Sequence, residues 1–121
     1  MASVRLFVSD TEKAKTFYVD MLGFTLVEQW GTAFAIVEHE GLELWLSGPT
    51  TSAAQPLPDG SQPEPGGWNR IVIGVVNIEA KLQALTSQGV VVRSEPISGP
   101  GGQQALIEDG VGNFVEIFQE R

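Results

Sequence analysis

The chain has 121 residues, with 7 Lys and Arg against 15 Asp and Glu, one His, no Cys and 42% hydrophobic residues, the make-up of one compact domain. A chain of this size buries roughly two-thirds of its unfolded surface and needs no covalent staples. The formal charge of −8 argues against a nucleic-acid partner, which needs a basic face, and a single His without Cys excludes a multi-histidine zinc site.

Residues 3 to 8 are rich in Val, Leu and Phe and read as a strand ending at Ser9-Asp10, where Asp10 can cap a helix. From Thr11 to Leu22 the positions of Ala14, Phe17, Tyr18, Met21 and Leu22 make one apolar stripe, which predicts an α-helix stopped by Gly23. Phe24 to Trp30, Ala33 to His39 and Leu42 to Ser47 follow as strands, separated by Gly31-Thr32 and by the hairpin-like Glu40-Gly41. Residues 48 to 67 hold five of the seven prolines and almost nothing suited to a core, so a linker or long flap is expected there.

The first half then returns. Arg70 to Val76 is a strand, Asn77 takes the capping place of Asp10, and Ile78, Leu82, Ala84 and Leu85 form a shorter stripe ending at Gln88-Gly89. Val90 to Arg93, Gln103 to Glu108 and Asn113 to Gln119 supply three more strands, with Pro96 to Gly102 and Asp109 to Gly112 as turns. The expected fold is α+β: one domain over 1–121, made of two βαβββ modules (about 1–48 and 68–121) joined by a linker over about 49–67. Such units do not close a core alone, so they pack against each other or against a second chain. No apolar run approaches the roughly 20 residues of a membrane helix, and the start lacks a basic-then-apolar leader, so no membrane contact and a cytoplasmic location are expected.

Strand parity sorts the side chains, because each helix must cover the more apolar sheet face. Val4, Leu6 and Val8, then Leu42, Leu44 and Leu46, then Ile71, Ile73 and Val75, then Val115 and Ile117 are the expected core positions. The opposite face receives Ser3, Arg5, Phe7, Glu43, Trp45, Ser47, Arg70, Val72, Gly74, Phe114, Glu116 and Phe118. Four large aromatics among two carboxylates and two guanidinium groups suit a concave ligand pocket better than a face open to water, with a dimer interface as the alternative.

Two stretches carry a family resemblance: Val8-Ser9-Asp10-Thr11-Glu12-Lys13-Ala14 with Phe17-Tyr18 and Leu22-Gly23-Phe24, and Glu108-Asp109-Gly110-Val111-Gly112-Asn113-Phe114-Val115-Glu116-Ile117. Together they resemble the vicinal oxygen chelate superfamily, the glyoxalase, bleomycin resistance and extradiol dioxygenase group. The resemblance implies a curved half-open barrel of two βαβββ modules, usually in a homodimer with sites inside the barrels. In metal-using members similar to glyoxalase I, four ligands, commonly His, Glu, His and Glu, come from the first, fourth, fifth and last strands. Those places fall here on Ser3, Glu43, Arg70 and Glu116, so both glutamates are kept and both histidines are absent. A guanidinium has no lone pair to give a metal. Arg70 is therefore expected to stand in for the cation beside Glu43 and Glu116, with no metal and no other cofactor.

The expected function is sequestration of an aromatic or planar small molecule, such as an antibiotic or metabolite. The expected ligand-binding residues are Arg5, Phe7, Glu43, Trp45, Trp68, Arg70, Phe114, Glu116 and Phe118, with Trp30 a further aromatic. His39 matches no ligand place and reads as a surface residue. The enzymatic alternative is a lyase, isomerase or dioxygenase with Glu43 or Glu116 as general base, with or without a divalent ion. A third reading, a dimeric interaction domain, would fill the inner face with its own side chains.

Overall fold

A computed structural model describes residues 2–121. The chain divides into two compact units, Met1–Gly66 and Gly67–Arg121. The first contains β1 (Val4–Phe7), α1 (Thr11–Thr16), β2 (Thr25–Trp30), β3 (Phe34–His39) and β4 (Leu42–Ser47). The second contains β5 (Ile71–Gly74), α2 (Ile78–Ser87), β6 (Ile97–Gly99), β7 (Gly102–Glu108) and β8 (Phe114–Glu120). Each unit holds one four-stranded mixed sheet, with the matching orders β1-β4-β3-β2 and β5-β8-β7-β6. In both, the first strand runs parallel to the last and the other pairings are antiparallel.

The repeat read from the caps is exact in kind. Asp10 and Asn77 are both extended, and each side chain accepts a hydrogen bond from the backbone N–H three residues on, Lys13 at 3.1 Å and Ala80 at 3.0 Å. The helices end differently. Downstream of α1 the chain widens into a π-helical turn over Phe17–Met21 instead of continuing as α-helix to Leu22. This turn buries the consecutive residues Phe17 and Tyr18 together, and the Tyr18 ring meets Phe17 and Phe24 edge to face at 5.1 and 5.5 Å. The closing bond accordingly spans one residue more: Phe24 N–H reaches the Tyr18 carbonyl at 3.0 Å past Gly23, whereas Val90 N–H reaches Leu85 at 3.0 Å past Gly89. Both glycines are left-handed, with φ of 79° and 87°.

Core parity holds through Val8, Leu44, Leu46, Ile73, Val115 and Ile117, all buried. Val4, at the start of β1, is 40% exposed rather than core. Ser47 is fully covered although it lies on the opposite face. His39 is not a plain surface residue: it shares the core side of β3 with Ala35 and Val37 and packs on Phe24 at 5.1 Å.

Two further expectations change. The strand expected at Val90 to Arg93 is a single bridge, Val92 to Ile107, and a short strand forms instead at Ile97–Gly99, inside the expected turn. The Ser94 hydroxyl accepts the Leu106 N–H at 3.1 Å where a backbone carbonyl would have continued the ladder, and Pro96 has no N–H to offer. The Pro-rich segment is also more ordered than a bare linker. A 3₁₀ turn at Ser52–Ala54 buries Ala54, and Gln62 donates to the Ala54 carbonyl, folding the segment back on itself. Ser61 donates both its hydroxyl and its N–H to Asp59, which holds that exposed carboxyl below its usual range. Among the described residues no helix is long and apolar enough to cross a membrane.

Candidate functional site

In the first module the parallel register sets Val4 opposite Leu44 and Arg5 opposite Trp45. Ser3 and Glu43 precede the first of these pairs, so the hydroxyl of Ser3 donates to Glu43 Oε1 at 3.2 Å. Trp45 lies two residues beyond Glu43 on the same face, and its indole N–H donates to the same oxygen at 2.9 Å. The Arg5 guanidinium lies over the Trp45 ring at 5.1 Å and near the Phe34 ring at 5.9 Å, and its Nη1 donates to the Ser47 hydroxyl at 3.1 Å. Ser47 in turn donates to the Trp45 carbonyl at 3.1 Å. One network thus runs from Ser3 through Glu43, Trp45 and Ser47 to Arg5.

Phe34 completes an aromatic row: its ring lies 5.3 Å from Trp30 and 6.1 Å from Trp45. Sequence reasoning did not single it out, yet the pairing of Phe34 with Ser47 and of Ile36 with Trp45 puts it on this face by strand alternation alone. Phe7 is half-buried at the far end of β1. It lines a cavity of about 300 Å³ together with Ser47, Ala54, Pro63 and Pro65, so the Pro-rich segment forms one wall of it.

In the second module the register sets Ile71 opposite Val115 and Val72 opposite Glu116. Arg70 projects to Glu116, with Nε at 3.1 Å and Nη2 at 2.9 Å from the same oxygen. The Glu116 side chain is only 12% exposed and that of Arg70 28%, so this pair is shielded enough to orient both groups. Trp68 stacks on Phe114 with centroids 5.5 Å apart and planes 8° from parallel, while remaining 73% exposed. Arg93, another residue not singled out from the sequence, stands 5.6 Å from the Phe114 ring and pairs with Glu108 at 2.8 Å. Phe118 is half-buried at the far end of this face.

The expected residues therefore form two clusters, one per module. Ser3, Arg5, Glu43 and Trp45 are joined by direct contacts in the first; Arg70 with Glu116, and Trp68 with Phe114, are joined in the second. Arg70 meets Glu116 within the second module, and Glu43 is held by Ser3 and Trp45 within its own.

These side chains do not fit the metal that the resemblance brings to mind. The resemblance puts Ser3 and Arg70 at the two histidine places, and a guanidinium donates hydrogen bonds without accepting any. One oxygen of Glu116 is occupied by Arg70 and one of Glu43 by two donors. Among the described residues no three His, Asp or Glu side chains gather as a ligand set.

Comparison with known proteins agrees with the topology. TnmS3, an antibiotic binding protein from Streptomyces sp. CB03234, superposes with a TM-score of 0.74 at 29% identity, covering 100% of this chain and 98% of its own. The fosfomycin resistance protein FosX from Listeria monocytogenes shares the fold, with a TM-score of 0.75 at 14% identity over 100% of this chain and 93% of its own. The uncharacterized protein YurT of Bacillus subtilis (strain 168) is 28% identical over 95% of this chain and 94% of its own length. The profile of the Glyoxalase/Bleomycin resistance protein/Dioxygenase superfamily matches residues 1–117, and with the two like-ordered sheets already described the chain belongs to that superfamily.

Proposed function

We propose that the chain is a metal-free binding protein that sequesters an aromatic or planar small molecule, such as an antibiotic or metabolite, as a cytoplasmic homodimer. The observation that carries this reading is Arg70. It takes a histidine place and spends two N–H groups on Glu116, which leaves a fixed organic cation where catalysis of the glyoxalase type needs an exchangeable inorganic one. The half-buried rings of Phe7, Trp45, Phe114 and Phe118, with exposed Trp68, supply apolar stacking surface of the kind planar ligands use. The similarity to an antibiotic binding protein at 29% identity supports the same reading.

Tryptophan fluorescence tests it directly, since Trp45 and Trp68 are both in the proposed ligand-binding set. A panel of planar antibiotics and metabolites is expected to include members that quench in a saturable, one-to-one manner with no turnover of the ligand. Elemental analysis of the purified protein is expected to find no stoichiometric metal. A chelator-removable equivalent of Ni, Zn, Fe or Mn per chain would replace this reading with the enzymatic one.

A further inference from the structure

We propose that Arg5 is the anchor for an ionised acidic group on the ligand, so that the first module selects planar molecules bearing an anionic oxygen. The inference rests on the binding reading above and deepens it. Among the described residues, Arg70 is paired with Glu116 and Arg93 with Glu108, but no carboxylate lies within ion-pair distance of Arg5. Its one hydrogen bond goes to the neutral Ser47 hydroxyl, one donor out of the five a guanidinium carries. The guanidinium also lies over the rings of Trp45 and Phe34, which help to hold the planar group in place without neutralising it.

A carboxylate does lie on the same face, but it is kept from the guanidinium. Glu43 stands two residues before Trp45, and both of its donors converge on Oε1. The indole therefore separates the charges: Arg5 lies against its ring, and Glu43 is bound at its N–H. An unpaired guanidinium fork beside a row of aromatic rings is suited to a flat molecule with a carboxylate, sulfonate or phenolate at its edge. The ligand's rings pack against one member of the edge-to-face pair Trp45 and Phe34, and its oxygens take the free N–H groups of Arg5. With a formal charge of −8, the protein as a whole repels such a ligand, so its selection has to come from a local contact.

Two dyes with one ring system separate the parts of this claim: anilinonaphthalene sulfonate, an anion, and phenylnaphthylamine, its uncharged counterpart. Titrated into the full chain, the sulfonate is expected to bind more tightly than the neutral dye despite the net negative charge. Arg5→Met is expected to weaken the sulfonate about tenfold, the scale of a lost charge-assisted contact, and to leave the neutral dye within about twofold. Arg5→Lys, which keeps the charge and loses the planar fork, falls between. Lys13→Met removes an equal charge from the exposed side of α1 and is expected to leave both dyes unchanged. Equal sulfonate affinity in the parent and Arg5→Met, or an equal loss in Lys13→Met, overturns the anchor while neutral-dye binding leaves the container reading standing. Binding of neither dye removes both.

Discussion

The two modules share a strand order and a helix cap but treat the same charges in opposite ways. With Val4–Leu44 matched to Ile71–Val115, Ser3 corresponds to Arg70, Arg5 to Val72, Glu43 to Phe114 and Trp45 to Glu116. Acid and aromatic have exchanged places along the last strand, and the cation has moved by two residues along the first. In the second module Arg70 and Glu116 meet directly. In the first, Arg5 lies over the ring of an indole and Glu43 is bound at its N–H. A repeated fold thus yields one closed ion pair and one open one from nearly the same set of residue types, and the open one leaves its guanidinium without a carboxylate.

The second module is most sensitive at Gly102, which has no counterpart role in the first. Its φ is +152°, and an added Cβ would lie 2.1 Å from the Gln119 carbonyl oxygen. Gly102→Ala is expected to cost about 3 kcal/mol or more, from the clash with backbone of the paired strand. Urea unfolding reads this, and an unchanged midpoint would mean that the β7–β8 register is wrong.

The closed pair comes next. Arg70→Met leaves Glu116 shielded and without its partner, for an expected loss of about 1–3 kcal/mol, whereas Ser3→Ala at the corresponding place is expected to cost about 1 kcal/mol or less. Replacing both members, as Arg70→Met with Glu116→Leu, is expected to recover much of the loss. If the double variant is no more stable than the single one, the pair is not an isolated unit. The caps should behave alike: Asp10→Ala and Asn77→Ala are each expected to lower stability by about 1 kcal/mol, read by thermal unfolding followed by circular dichroism. The smallest effect is a gain. Glu40 holds φ at +50° in the two-residue turn with Gly41, so Glu40→Gly relieves left-handed strain and is expected to stabilise the first module by a few tenths of a kcal/mol.

What the sequence discloses is what local chemistry decides. Asp10 and Asn77 announce helix starts, Gly23 and Gly89 their ends, and Glu40-Gly41 a hairpin; strand alternation then sorts Leu44, Leu46, Val115 and Ile117 from Glu43, Trp45 and Glu116. Three features were hidden because residues elsewhere in the chain decide them. The π-helical turn depends on Tyr18 packing against Phe24 beyond Gly23. The loss of strand at Val90 to Arg93 depends on Ser94 meeting Leu106 from another strand. Ala54 is buried where the segment folds back and Gln62 returns to its carbonyl. Phe34 was within reach of the alternation argument, but it lies in the apolar run Ala33-Phe34-Ala35-Ile36-Val37, in which period-two contrast is weak.

The exchange along the last strand also bears on how such a duplicated chain diversifies. Moving a side chain type by an even number of residues keeps it on its original side of the sheet, so recognition groups can migrate along a strand while the packed interior is left untouched. An odd step would drive a carboxylate into the hydrophobic layer under the helix and unfold the module. Inheritance of a pleated scaffold therefore leaves open a ladder of alternate rungs, on which new specificities can be tried one module at a time.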